Sequence, residues 1–307
     1  MDSAESGMTR KDIIILECPS NLGLIEPAPG REPGVKKLPG WLRKFRFQER
    51  LQPLQEYSIS PPPYSMEVDP ESGVRNAGAI VAYAKEQAAV LSNLVHENHF
   101  LVTIGGDCSI LVGNTLALKK KGNYGLFFLD GHTDFMLPEL SGTKGAAGMD
   151  LAIVTGHAHP KLSNIFDSGP YITEQNTWCV GNREYDETYV KTIKNSRIRY
   201  YDLDHLRATG IENCCRSFLE IVYQRNLEGF WIHLDVDVLD DSLMPAVDSR
   251  AEGGLDYGEL KSILSLLICD EKARGLEITI LDPELDREGI FTDTFVDAMV
   301  GVLRKQK

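Results

Sequence analysis

The sequence predicts an α/β protein in which helices cover both faces of a mostly parallel β-sheet. From about residue 77 to the end of the chain, short apolar runs of strand length alternate with helix-like segments. The runs are almost continuously apolar, which is typical of parallel strands buried on both faces. Alternating strands and helices form such a sheet, and its active site lies at the carboxyl ends of the strands.

Each element is predicted from a local pattern along the chain. The apolar run DIIILEC predicts a first strand at Asp12–Cys18. Residues 19–75 are rich in proline and glycine and predict a long loop-rich segment with one short helix near Trp41–Phe45. Further strands are predicted at Phe100–Ile104, Gly125–Leu129, Thr177–Gly181, Ile198–Tyr201, Phe230–Leu234 and Leu276–Leu281. Helices are predicted at Ala77–Glu97, Ser109–Lys120, Glu187–Lys194, Glu212–Gln224, Tyr257–Leu267 and Thr294–Lys305.

The composition of the chain indicates one large domain and argues against some kinds of binding partner. A chain of 307 residues with 42% hydrophobic content is large enough for one big domain, predicted to span residues 1–307. The net charge of -13 argues against a nucleic-acid or anionic-membrane partner and is compatible with a cation site. The six cysteines form no CxxC pair, and no apolar stretch approaches the length of a membrane span. We therefore expect a cytoplasmic protein with reduced thiols.

Polar clusters follow three of the predicted strands directly. Because alternate residues leaving an extended strand point the same way, Asp130, His132 and Asp134 are expected to share one face. Asp235 and Asp237 have the same spacing after their strand. The clusters are GGDCS at residues 105–109, DGHTD at residues 130–134 and DVD at residues 235–237.

Four carboxylates gathered at one edge of a sheet predict bound cations. They would repel one another and could not all ionise unless positive charge lay among them. Mixed carboxylate and imidazole ligands suit Mn²⁺ better than a thiolate-rich set does. Each cluster alone also has a structural explanation, since an Asp at a strand end often caps a turn or helix. Their occurrence in order after three strands favours a metal site.

These motifs resemble those of the ureohydrolase family, which includes arginase, agmatinase and formimidoylglutamase and carries GGDHS, DxHxD and DxDxxDP. The segment GVKKLPGWLR near Gly34 is similar to the family's GV-x-x-GP-x-x-LR, and the likeness covers most of the chain. The resemblance implies a three-layer α-β-α domain of the arginase and deacetylase type, with about eight strands. It also implies a small-molecule substrate and a homo-oligomer, either a trimer or a hexamer.

The resemblance implies a role for each residue of the clusters. A hydroxide held between two Mn²⁺ ions would attack an amidine or amide carbon, with Asp134 and Asp235 as catalytic residues. Asp186 and Ser249 stand where the family contacts substrate, although a helix cap and an ordinary loop hydroxyl explain them equally well. The implied metal ligands are Asp130 and Asp235 as bridges, Cys108 and Asp134 for the first site, and His132 and Asp237 for the second.

The sequence departs from the family at the first metal site. Cys108 replaces the usual histidine, and it is either a thiolate ligand or a small buried thiol beneath a weakened site. One metal ion, or Zn²⁺ in place of Mn²⁺, is therefore the alternative to two Mn²⁺. His233 lies inside an apolar strand and is predicted to be a core histidine rather than a ligand.

Further departures concern proton transfer and the substrate. Ala147 replaces a histidine thought to shuttle protons, and Ile280 replaces a glutamate that would pair with a guanidinium group. Met136 stands near the position of an asparagine that holds an amino-acid carboxylate, so arginine itself is predicted to be a poor substrate. His157 and His159 are either substitute proton carriers or, as we expect, loop histidines.

The predicted function is metal-dependent hydrolysis of a linear C–N bond in a guanidino, amidino or related amide substrate. Two alternatives remain at this level. One is a homologue that binds metal or ligand without turnover, and the other is a deacetylase-like amide hydrolase with a single metal ion. A dinucleotide-dependent enzyme is disfavoured because no G-x-G-x-x-G follows a predicted strand.

Overall fold

A single eight-stranded sheet organises the molecule. The structure is a computed structural model that describes residues 11–184 and 186–305. The strands are β1 (Asp12–Glu17), β2 (Gln55–Ser58), β3 (His99–Ile104), β4 (Tyr124–Leu129), β5 (Thr177–Asn182), β6 (Arg199–Asp202), β7 (Gly229–Asp235) and β8 (Ala273–Thr279). Their order in the sheet is β2-β1-β3-β8-β7-β4-β5-β6, and every neighbouring pair is parallel. The predicted fold class is confirmed.

The seven predicted strands are all present within a few residues, but the eighth was missed. β2, with the sequence QEYS, is exposed along its whole length and pairs only with β1 at the edge of the sheet. An exposed edge strand needs no apolar face, so it has no hydrophobic pattern to detect. Most of the segment at residues 19–75 is loop, but it also contains this strand and two short helices, where the sequence predicted one helix and no strand.

The helices form two layers, one on each face of the sheet. They are α1 (Leu38–Lys44), α2 (Phe47–Leu51), α3 (Ala77–Leu94), α4 (Leu111–Lys119), α5 (Asp150–Val154), α6 (Pro160–Ser163), α7 (Glu187–Lys194), α8 (Leu203–Thr209), α9 (Ile211–Gln224), α10 (Tyr257–Ile268) and α11 (Ile290–Leu303). One apolar cluster packs α1, α2 and α8–α11 against the sheet, and a second packs α3–α7 against the other face. None of the helices in the described part of the chain has the length and hydrophobicity of a membrane span.

An aromatic cluster shows how the first of these layers is held to the sheet. The buried Phe218 of α9 meets the ring of Phe127 in β4, that of Trp178 in β5 and that of Phe230 in β7 edge to face, with centroids 5.1 to 5.3 Å apart. Edge-to-face pairs of this kind add about 0.5–1.5 kcal/mol each beyond the area they bury. The contacts fix α9 across three strands.

The strand order decides which clusters meet. β3, β8, β7 and β4 are consecutive at the centre of the sheet, and parallel strands present their carboxyl ends at one edge. The three predicted clusters follow β3, β4 and β7 and therefore converge there. The edge formed by these four strand ends is called the central edge below.

Candidate metal centre

The DGHTD segment after β4 is held in place by its own backbone and by a neighbouring asparagine. The His132 N–H donates to Asp130 Oδ1 at 2.6 Å, which turns the chain immediately after the strand. Asn182, the last residue of β5, donates its side-chain amide to the carbonyl of Asp130 at 2.8 Å and to that of His132. The buried Asp130 is thus fixed by contacts to its main chain, which leaves its carboxylate directed at the central edge.

The DVD segment after β7 packs directly against DGHTD. The Asp237 N–H donates to Asp235 Oδ1 at 2.8 Å, and the Gly131 N–H donates to Asp237 Oδ1 at 3.1 Å. His132 Nδ1 lies 2.9 Å from Asp237 Oδ2. Arg183 donates to the carbonyl of Asp237 at 2.6 Å and to those of two other residues of the same loop region, so it braces this segment from β5.

The GGDCS segment after β3 depends on a glycine. A Cβ on Gly106 would lie 1.7 Å from the carbonyl oxygen of Ser20, so only glycine allows this approach. Asp107 then caps the next turn by accepting from the Ser109 N–H at 2.9 Å and from the Ser20 hydroxyl at 2.7 Å. This turn places the buried free thiol of Cys108 3.0 Å from Asp235 Oδ2.

Two groups of potential metal-ligand atoms result, and they share one residue. Within each group, one donor atom from every residue lies within 4.8 Å of all the others. Asp130 belongs to both groups, as a carboxylate between two cations would. The first group is Cys108, Asp130, His233 and Asp235, and the second is Asp130, His132 and Asp237.

His233 is buried, as the sequence predicted, but its surroundings are unusual for a core residue. Its ring stacks on Phe128 of β4, with centroids 4.3 Å apart, and its Nδ1 is hydrogen-bonded to Glu277 of β8. Phe128 and Glu277 are its register partners on the two neighbouring strands. The ring therefore joins a row of side chains across the sheet, and it contributes a donor atom to the first group.

The metal-free cluster concentrates negative charge in a buried space. Burial, followed by the charge of Asp237, raises the pKa of Asp130 and of Asp235. Burial is also the main reason that the pKa of Asp150 is raised, and both of its carboxylate oxygens lack hydrogen-bond partners in the described part of the chain. The charge of Asp237 also raises the pKa of His132, to about 11, because it stabilises the protonated ring. These shifts mark a site that requires added positive charge.

The donor atoms fit divalent cations. Asp130 Oδ2 and His233 Nε2 are buried and have no hydrogen-bond partner among residues 11–184 and 186–305, yet they lie 3.6 Å apart. Buried polar atoms are normally paired, so two orphaned atoms facing one another point to a group that bridges them. Carboxylate, imidazole and thiol donors are all established ligands for divalent transition metals.

The remaining predicted site residues are placed less centrally. Asp134 has a positive φ of 41° and belongs to neither donor group, although burial and the charge of Asp130 raise its pKa. Asp186 is exposed and caps α7 by accepting from the Thr188 N–H at 2.8 Å, as its structural explanation required. Ser249 lies exposed on the loop between β7 and α10.

Two of the positions where polar family residues are replaced are buried and apolar, and the two nearby histidines are engaged in contacts of their own. Ala147 is buried, and Ile280 is buried with φ of 75°, a left-handed conformation rarely adopted by a β-branched residue. His157 contacts Glu174 through Nε2, and His159 caps α6 by accepting from the Lys161 N–H. Both histidines make structural contacts outside the two donor groups, in line with the loop-histidine interpretation.

Sequence reasoning missed several residues that shape this centre. Asn182 ends β5 and Arg183 follows it directly. A polar residue at the end of a strand was the signal that revealed the other clusters, and it could have revealed these two as well. Glu277 is a charged residue within the apolar strand GLEIT, and this interruption was a signal that was not used. Asp150 carried no such signal, because its burial depends on how its segment folds under the central edge.

Fold and site together define a parallel α/β protein with a buried, carboxylate-rich centre able to bind metal at the carboxyl edge of its sheet. A sequence model described as the arginase family matches residues 12–303. The chain therefore belongs to the arginase family, whose members are hydrolases of C–N bonds, and the resemblance to ureohydrolases is confirmed.

Individual relatives agree with this assignment. An arginase of Staphylococcus aureus (strain COL) is 27% identical over 279 residues, which cover 90% of this chain and 91% of that protein. The native arginase structure from Bacillus caldovelox at pH 5.6 has a TM-score of 0.85 and 26% identity, and the match covers 95% of this chain and 98% of that one. A formimidoylglutamase from Bacillus subtilis subsp. subtilis str. 168 shares the fold, with a TM-score of 0.70 at 20% identity, covering 97% and 88%.

Proposed function

We propose that this protein hydrolyses a linear C–N bond in an amidine, guanidine or related amide and uses two divalent cations. The observation that carries the proposal is the position of Asp130 in both donor groups, because one carboxylate can then serve two ions. By family resemblance the ions are Mn²⁺, with Zn²⁺ as the alternative that Cys108 raises. Bound cations supply the charge that polarises the substrate and lowers the pKa of water.

The residues of the chain supply positioning and proton transfer. Asp235 is proposed to hold both ions together with Asp130, while His132 and Asp237 complete the second site. By family resemblance Asp134 is proposed to accept a proton from water and return it to the leaving amine once bound cations keep it ionised, and its burial makes the carboxylate a stronger base. Asn182 and Arg183 keep the loops that carry these side chains in place.

The substrate is proposed to differ from arginine. Ile280 cannot offer a charge to a guanidinium group, and Ala147 cannot carry a proton. A neutral amide or a smaller amidine depends less on a charged partner and on a proton-carrying side chain at these two positions. Asp186 and Ser249 remain proposed substrate contacts, and Asp186 would then combine this role with its hydrogen bond to the start of α7.

Two other functions are supported by particular observations. The group of Asp130, His132 and Asp237 is complete without Cys108, which favours a hydrolase with one metal ion as the second candidate. The buried alanine at position 147 favours a protein that binds metal or ligand without turnover. We also propose a homo-oligomer, trimeric or hexameric, and a reducing compartment such as the cytoplasm, in which Cys108 stays a free thiol.

The test is a substrate screen with a matched pair of variants. Protein loaded with Mn²⁺ or Zn²⁺ is incubated with guanidino, amidino, formimino and N-acyl amine compounds, and release of ammonia, urea or free amine is measured. The Asp235→Asn variant should lose turnover, whereas Asp241→Asn, in the loop that follows β7, should keep it because Asp241 pairs with Arg250 outside the centre. Activity that survives Asp235→Asn contradicts the proposal.

A further inference from the structure

The two ring nitrogens of His233 have different surroundings. Nδ1 is bonded to the Glu277 carboxylate, and Nε2 faces Asp130 Oδ2 across 3.6 Å without a hydrogen bond in the part of the chain described. A metal-binding histidine typically donates one ring N–H to a carboxylate while the other nitrogen binds the ion. The contact with Glu277 sets the ring in that orientation.

Glu277 is itself supported by a chain of buried polar side chains. Asn114 of α4 donates to Glu277, and Gln87 of α3 donates to Asn114 Oδ1. All four side chains, from His233 to Gln87, are buried beneath the central edge. Such a network is costly in a core made of apolar residues, and its far end is the unpaired Nε2. A network that ends in an orphaned imidazole nitrogen indicates a ligand at that point.

We propose that His233 binds the first metal ion through Nε2, together with Cys108, Asp130 and Asp235, and thereby takes over from the histidine that Cys108 replaces. The inference rests on the proposed function only in requiring metal at the central edge, and it holds whether or not a substrate is turned over. His233 approaches from β7, below the centre, instead of from the turn after β3.

The donor set also selects the metal. One sulfur, one imidazole nitrogen and two carboxylate groups match a tetrahedral zinc site, in which bonds of about 2.0–2.3 Å place the ligand atoms roughly 3–4 Å apart. Cys108 Sγ already lies 3.0 Å from Asp235 Oδ2. The first site therefore prefers Zn²⁺ to Mn²⁺, whereas the second site, with carboxylates and His132, lacks the thiol and accepts either ion.

The competing arrangement is a protonated His233 that takes the place of a cation. Burial alone lowers the pKa of His233, but the Asp130 and Glu277 carboxylates outweigh burial and raise the pKa to about 10. If the ring stayed charged, it would pair with Asp130 and keep metal out of the first site. The two arrangements differ in metal content and in the atoms bound to the metal.

X-ray absorption spectroscopy on the wild-type protein distinguishes them without any substitution. With two Zn²⁺ per chain, the proposal predicts on average about half a sulfur and about one imidazole per zinc, since Cys108, His132 and His233 would serve two ions. About half an imidazole per zinc would mean that His233 does not bind zinc. The absence of sulfur would mean that Cys108 does not bind zinc. Either result overturns the proposal.

Substitutions give a second test, with Co²⁺ as the probe. Cobalt bound to Cys108 should show a thiolate charge-transfer band, which Cys108→Ala should abolish and the buried-thiol control Cys214→Ala, in α9, should keep. His233→Asn should lower the affinity of the first site for Co²⁺ by at least ~100-fold. Glu277→Gln should lower it by roughly 10–100-fold, which is the typical effect of removing the carboxylate that is hydrogen-bonded to a ligand histidine. His99→Asn, at the opposite edge of the sheet, should change neither the thiolate band nor the affinity for Co²⁺. Unaltered Co²⁺ affinity in folded His233→Asn overturns the inference.

Failure of this inference and failure of the proposed function give different results. A single bound metal without sulfur overturns the role of His233 but still allows a mononuclear hydrolase. Two metals with the predicted ligands, combined with no turnover in the substrate screen, support the role of His233 and contradict the proposed activity.

Discussion

Removing the metal should destabilise the protein, and the loss should grow as the pH rises from 6 to 8. In the metal-free chain, burial and neighbouring carboxylates raise the pKa of Asp134, Asp150 and Asp235. An acid whose pKa is raised on folding holds its proton in the folded state at a pH where the unfolded chain, with a pKa near 4, has lost it. The folded state therefore binds more protons, and its stability falls as pH rises.

The basic residues act in the same direction over this range. The pKa values of His132 and His233, about 11 and about 10, lie above the unfolded value near 6.5, so their stabilising contribution is also lost as pH rises above 6.5. Asp237 has a lowered pKa and is ionised in both states at pH 6, so it adds no slope. The shifted acids and histidines of the centre thus favour the lower pH in this window. Lys11, whose pKa burial lowers to about 8, opposes them near pH 8, but it lies outside the centre and acts equally with and without metal.

The size of the effect follows from proton linkage. Each extra proton held by the folded state costs about 1.4 kcal/mol of unfolding free energy per pH unit, or roughly 2.7 kcal/mol between pH 6 and 8. At about 2 °C per kcal/mol for a chain of this size, the Tm falls by roughly 5 °C per proton. Metal at 100 times its Kd adds about 2.7 kcal/mol per site, and it removes the slope by replacing those protons.

The assay is differential scanning calorimetry at pH 6, 7 and 8, with saturating metal and with chelator. The Tm gap between the two should widen as the pH rises. In the chelated protein, Asp150→Asn should raise Tm at pH 8 and reduce the slope by about one proton, because it removes a buried carboxylate from outside both donor groups. A gap that stays constant or narrows with rising pH would refute the reasoning.

Substitutions at three further positions test separate parts of the structure. Gly106→Ala should destabilise the fold by at least ~2 kcal/mol in denaturant titration, since the new Cβ meets the Ser20 carbonyl at 1.7 Å; a smaller loss would mean that this approach is not required. Phe218→Ala should cost about 3–5 kcal/mol by the same method while metal content stays unchanged, and altered metal content would tie α9 to the centre. Asp186→Ala should cost about 1 kcal/mol through loss of the α7 cap, whereas Asp186→Asn should keep the cap; a raised KM in the Asn variant supports substrate contact, and an unchanged KM argues against it.

Much of the fold could be predicted because its signals are local. A buried strand such as β4 or β7 must be apolar along its whole length, and the residues that follow it must turn, so both leave a pattern within a few positions of one another. Asp130 and Asp235 were found in this way. β2 was missed because an exposed edge strand needs no such pattern.

The site could be predicted only in part, because its members come from distant segments. The sequence marked Asp130, His132, Asp235 and Asp237 as potential ligands, and the structure places all four in the two donor groups. Asp134 lies in neither group, since its positive φ turns the chain at the end of the DGHTD segment. Local alternation along a strand does not continue through such a turn.

By itself the sequence determined the class of fold, the strand ends that carry chemistry and the family. Only the tertiary structure decided that His233 and Glu277, 44 residues apart, are register partners on adjacent strands, and that Nε2 of His233 meets Asp130. The physical reason is that periodicity records which face of an element is buried, whereas strand order records which elements meet. That order depends on crossovers and packing along the whole chain, and no local pattern contains it.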